Sequence, residues 1–104
     1  MARRRDIIGV LDATGSGFIT NSVTVTTTAT PLPTTTLKNR KAISIRNYSS
    51  SVNIFVGDSG VTAASGYPVL PYESLPFNMS DGANLYAITE SGSADVRVIE
   101  VDNA

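Results

Sequence analysis

No histidine, cysteine or tryptophan occurs among these 104 residues, and each absence removes a kind of chemistry. Without cysteine there are no disulfides, no thiolate nucleophile and no thiolate zinc site, so packing or oligomerisation alone must hold the fold. Without histidine, the usual general base near neutral pH is missing. Charge is also scarce, at 16% of residues with a formal net charge of −1. Phosphate binding needs a cluster of Lys and Arg in a net positive field, so nothing here points to nucleic acid. Long apolar runs are absent too. The segment Ile7-Ile8-Gly9-Val10-Leu11, closed by Asp12, falls short of the roughly 7 to 15 apolar residues of a signal-peptide core. No stretch approaches the roughly 20 residues of a membrane-spanning helix. The expectation is a soluble protein made in the cytosol, with no membrane and no cofactor.

What is present is β-structure and turns. Gly57-Asp58-Ser59-Gly60 matches the tetrapeptide around the nucleophile of trypsin-like serine proteases. A serine hydroxyl needs an adjacent base to attack, and the chain has neither histidine nor any lysine after Lys41. Ser59 therefore reads as a turn residue. Residues 22–28 are almost wholly β-branched, which predicts a strand with Val23 and Val25 inward and Thr24 and Thr26 outward. Pro31-Leu32-Pro33 should break the ladder. Thr34 to Leu37 could then resume as a short extended piece, and Lys38 to Lys41 form a polar turn.

Ile43 and Ile45 share one face of the next strand, and Val52, Ile54 and Val56 one face of another. The Tyr48-to-Ser51 loop between them predicts a hairpin. Gly57 to Tyr72, rich in glycine and proline, reads as one long surface excursion. Ser74 to Phe77 is expected as an edge strand because of Pro76, followed by strands over 84–89 and 94–101 with Val96 and Val98 on one face. Short strands separated by glycine turns predict an all-β fold, an antiparallel β-sandwich or jelly-roll-like barrel. With 41% hydrophobic residues, residues 21–104 are expected to form its single domain. Residues 1–20 are expected to form an extended, flexible N-terminal arm, with a first edge strand over Ile7 to Leu11 as the alternative.

Candidate contact residues follow from this layout. Arg3, Arg4 and Arg5 could dock on an acidic partner surface or form a solvated tail. Tyr67 and Tyr72, on the long loop, could stack on carbohydrate, meet a protein, or fold back to lid the end of the sandwich. Phe55 is out of register with Val52, Ile54 and Val56, so it points to the other face, which should be covered by the arm, the loop or another subunit. The carboxylates Asp58, Glu73, Asp81, Glu90, Asp95 and Glu100 are expected in turns or on outward strand positions. A calcium site using Asp58 and Asp81 is chemically allowed, but no EF-hand loop exists. The sequons Asn47-Tyr48-Ser49 and Asn78-Met79-Ser80 carry no meaning without a secretory route.

The order of the runs I43-S-I-R-N-Y48, V52-N-I-F-V-G-D-S-G-V-T62, G66-Y-P-V-L-P71, S74-L-P-F77, L85-Y-A87 and A94-D-V-R-V98 resembles small structural proteins of tailed bacteriophages. The resemblance spans residues 40–101 and rests on turn spacing and strand pattern. It implies a β-sandwich virion component, foremost a homotrimeric capsid decoration (cement) protein that binds the major capsid protein or other virion proteins. Tail, neck and head-fibre components share the same sandwich. The contact residues it implies are Arg3, Arg4, Arg5, Phe18, Phe55, Tyr67 and Tyr72, with no catalytic residue. The rival expectation is a carbohydrate-binding module with Tyr67 and Tyr72 as platform and Asp58 or Asn53 orienting hydroxyls. An enzyme ranks third, since no activated nucleophile can be assembled.

Overall fold

The computed structural model describes residues 17–102, and among these residues there are eight strands and no helix. They are β1 (Phe18–Val25), β2 (Thr30–Leu32), β3 (Arg40–Asn47), β4 (Ile54–Gly57), β5 (Tyr67–Val69), β6 (Ser74–Asn78), β7 (Leu85–Thr89) and β8 (Ala94–Asp102). Sheet 1 has the order β1-β8-β3-β6 and sheet 2 the order β2-β7-β4-β5. Every pairing is antiparallel. The pairs β1 with β8, β2 with β7, β3 with β6 and β4 with β5 are nested. The chain thus behaves as one long hairpin, tipped between β4 and β5, whose successive pairs alternate between the sheets.

Alternation along each strand builds the core. Val23 and Val25 of β1, Ile43 and Ile45 of β3, and Val96 and Val98 of β8 are buried from sheet 1. Leu32, Ile54, Val56, Val69, Leu85 and Ala87 meet them from sheet 2 in one cluster. Strand side chains alternate between faces, so the intervening residues line the outer faces. Burying a residue such as Ile43, Ile45 or Ile54 contributes about 1.5–3 kcal/mol each over leaving it exposed.

Several expectations are corrected. Pro31 does not end the ladder but lies within β2, the edge strand of sheet 2. Pro68 and Pro76 also sit in edge strands, β5 and β6, where the missing N–H faces away from a neighbour. Residues 34–37 are bends and coil rather than an extended piece. The turn before β3 is confined to Lys38 and Asn39, with Asn39 in the left-handed region at φ 61°. The Tyr48-to-Ser51 loop is not a hairpin, because β3 and β4 belong to different sheets and the loop carries the chain from one to the other. The long excursion contains β5 and two buried valines, Val61 and Val69. Phe18, Ile19 and Thr20, assigned to the arm by sequence, are in β1. The remainder of the arm through residue 16, with Ile7 to Leu11, lies outside the described residues.

Two polar nodes fix the layers. Glu100, expected on the surface, is fully buried and pairs with Arg40 at 2.8 Å. The register of β3 against β8 shifts between Arg40 and Ala42, and such a bulge re-aims a side chain, here turning Arg40 inward. Its guanidinium also donates to the carbonyls of Met79 (3.0 Å), Ser80 (2.9 Å) and Ala83 (2.7 Å). At the other end of β3, the buried Asn47 donates through Nδ2 to the carbonyls of Val52 (2.8 Å) and Val69 (2.9 Å), and its Oδ1 accepts from Ser49 N–H (3.1 Å). One side chain thereby ties sheet 1 to the crossing loop and to the edge of sheet 2.

Candidate functional site

The outer face of sheet 2 is apolar. Phe55, Tyr86 and Ile88 are half-buried there, flanked by Pro31 and Pro68. No strand position on that face carries a charge. The loop after β4 returns close beneath Phe55. A Cβ on Gly66 would lie 2.6 Å from Phe55 Cβ, 2.8 Å from Val61 Cγ2 and 3.0 Å from the Thr62 carbonyl oxygen, so only glycine fits. Phe55 therefore does point outward, and the loop covers part of it.

Sheet 1 presents a different surface. Thr20, Ser22, Ser44, Arg46, Ser74 and Arg97 line an open groove of about 570 Å³ that crosses all four strands, with Ile99 on its floor. Arg46 and Arg97 stand directly opposite one another in the β3–β8 register. Asp95 receives Arg97 through Nε (3.2 Å to each oxygen) and Nη2 (2.8 Å). Those hydrogen bonds hold the Asp95 carboxyl below its ordinary value of 3.8, with slight desolvation opposing them, and they raise the Arg97 guanidinium in turn. The Arg97 guanidinium carbon also lies 4.6 Å from the centre of the Tyr48 ring, and that of Arg46 lies 5.8 Å from the centre of the Tyr72 ring. The two rings meet edge-on at 5.8 Å.

Tyr72 has φ 65°, a conformation that favours glycine. A 2.6 Å hydrogen bond from its N–H to the Asn47 carbonyl holds it there. The turn at 70–73 is closed further by Glu73, whose carboxylate accepts from Leu70 N–H at 2.9 Å. The strained residue and the buried clamp of Asn47 together set the ring beside Tyr48 and against Arg46 of the groove.

The contact residues expected from sequence are dispersed. Tyr72 belongs to the arginine–tyrosine cluster, while Phe55 lies on the outer face of sheet 2 and Tyr67, 63% exposed, on its edge strand β5. Tyr72 thus has Tyr48 rather than Tyr67 as its aromatic neighbour. Phe18 is 60% exposed at the start of β1. Arg3, Arg4 and Arg5 lie outside the described residues. Asp58 caps Gly60 N–H at 3.0 Å within its turn, and Asp81 accepts from Asn39 N–H at 2.8 Å. No group of three or more acidic side chains comes together among the described residues. Arg46, Arg97, Tyr48 and Asp95 were missed by sequence as a cluster, because only the pairing of β3 with β8 brings them together. No family model, curated protein or solved structure matches the chain.

Proposed function

We propose that this is a non-enzymatic structural component of a tailed-bacteriophage particle, foremost a homotrimeric capsid decoration protein that binds the major capsid protein. The observation that carries the proposal is the uncharged apolar outer face of sheet 2, with Phe55, Tyr86 and Ile88. Contiguous apolar surface of this kind marks a protein interface. The nested strand orders β1-β8-β3-β6 and β2-β7-β4-β5 favour reading the two layers as a jelly-roll sandwich, an architecture shared by viral capsid and lectin domains. That is a fold-level analogy. The resemblance over residues 40–101 points the same way, since its runs fall on β3 to β8. The mechanism is added buried area: each subunit bridges neighbours, and the bound form stabilises the shell by mass action.

The test is the copy number per particle, by quantitative mass spectrometry of purified virions against the major capsid protein. Hundreds of copies in simple ratio to the capsid protein are expected. A few dozen or fewer would move the protein to the neck, tail or a fibre, and none would overturn the virion assignment.

A further inference from the structure

The outer face of sheet 1 carries chemistry that shell docking through sheet 2 does not use. Like charges directly opposite on paired strands destabilise a sheet, yet Arg46 and Arg97 occupy such a pair. Asp95 satisfies Arg97 alone. Among the described residues the Arg46 side chain makes no hydrogen bond or ion pair, only its approach to the Tyr72 ring. Two arginines therefore share one register pair of this face while a single carboxylate, that of Asp95, is bound by Arg97 alone, so Arg46 is available to a second anionic group. Beside them the groove offers four hydroxyls, from Thr20, Ser22, Ser44 and Ser74. Against the two arginines stand two tyrosine rings, Tyr72 at Arg46 and Tyr48 at Arg97, each 49% exposed. The backbone groups of β8 and β3 are engaged on both sides within the sheet, so a ligand lying across this face is read by side chains and not by strand addition.

We propose that this face binds a carboxylate-bearing oligosaccharide, with a uronate carboxylate bridging Arg46 and Arg97. Sugar hydroxyls then exchange hydrogen bonds with the serines and threonine of the groove, and the C–H face of a sugar ring lies on Tyr72 or Tyr48. A volume of about 570 Å³ suits a short oligosaccharide and falls within the ordinary range for small-molecule sites. Nucleic acid is disfavoured, because among the described residues the groove is lined by two arginines, one of them paired with Asp95, while phosphate chains need a wider positive field. The saccharide proposal stands on sheet 1 alone and does not depend on the virion assignment.

The experiment is calorimetric and NMR titration of the intact chain with trigalacturonate, with its fully methyl-esterified form, and with a hexaglutamate peptide. Trigalacturonate is expected to bind, to shift the Arg46, Arg97, Tyr48 and Tyr72 signals, and to bind about tenfold or more tighter than the ester, the scale of one charge-assisted hydrogen bond. Arg46→Gln should lose about the same factor while its thermal midpoint holds or rises, because the opposed charge is gone. Asp95→Asn should bind tighter, since Arg97 is freed. The ester comparison uses the unaltered chain and so does not depend on any variant folding. No binding at millimolar trigalacturonate, equal binding of acid and ester, or equal binding of hexaglutamate would each overturn the proposal, the last by making this an acidic-peptide face. Absence from particles with trigalacturonate binding intact would overturn the virion assignment alone.

Discussion

Arg40→Met is the substitution whose consequence the fold defines most sharply. The side chains of Arg40 and Glu100 are both fully buried at 2.8 Å. Glu100 Oε2 accepts from Arg40 and from Leu37 N–H at 3.1 Å, and Oε1 has no hydrogen-bond partner among the described residues. Removing the guanidinium strands a buried carboxylate and takes donors from the carbonyls of Met79, Ser80 and Ala83. Breaking a buried pair from one side costs about 3–5 kcal/mol, against a total stability of about 5–15 kcal/mol for a domain. With a urea slope of about 1–3 kcal/mol per molar, the midpoint should fall by about 2 M.

The double variant Arg40→Met with Glu100→Leu separates the charge from the packing. It removes the stranded carboxylate, and the freed carbonyls lie in the turn at 79–84, where Ser80 and Ala83 are exposed to water. It should therefore regain about 2 kcal/mol or more over Arg40→Met, because replacing both partners of a buried pair is often close to neutral. Urea unfolding of the wild type, both single variants and the double variant gives the coupling energy. Additive losses, or a loss below about 1 kcal/mol for Arg40→Met, would refute the account of this pair as a coupled buried node.

Three further outcomes are expected. Gly66→Ala, whose Cβ would sit 2.6 Å from Phe55 Cβ, should cost about 1–3 kcal/mol in chemical denaturation, and a neutral result would mean that the loop is not packed beneath Phe55. Tyr72→Gly should be more stable than Tyr72→Ala by about 1 kcal/mol, since both lose the ring while only glycine relaxes the φ of 65°; equal stabilities would refute the strain. Because the folded Asp95 carboxyl lies below 3.8, its stabilising contribution is present above 3.8 and is lost as pH falls through the folded value. An NMR titration midpoint at or above 3.8 would contradict the Arg97 pairing, and the effect on stability should be small because both side chains are solvent-exposed.

Strand placement was legible from side-chain chemistry wherever one face is buried and the other wet. Valine and threonine alternate in β1, isoleucines alternate with Ser44 and Arg46 in β3, and valines alternate in β8, so period two alone located these strands. It failed where tertiary pairing decides. Residues 48–51 look like a hairpin turn, but whether such a loop returns to its own sheet depends on the nested pairing, which no local signal records. Glu100 looked like surface because a lone carboxylate in a strand ordinarily is. Its partner is Arg40, 60 residues earlier, and the bulge that turns Arg40 inward leaves no mark in composition. The same holds for Arg46 and Arg97, separate in sequence and unremarkable until the register sets them opposite.

The two sheets share one core, so their outer faces point in opposite directions, and this constrains how the two proposals combine. If the apolar face with Phe55 and Ile88 joins the particle, the groove with Arg46 and Arg97 is turned away from that contact and stays open to ligand. Particle-bound protein should then bind trigalacturonate with an affinity within about threefold of the free chain, a difference of about 0.6 kcal/mol. A sedimentation assay on purified particles with labelled trigalacturonate measures this, with particles lacking the protein as blank. Loss of binding on the particle, with binding by the free chain intact, would place sheet 1 against the shell. The opposed arginines would then be completed by carboxylates of a neighbouring subunit, and the sheet 2 face would be the one left outside.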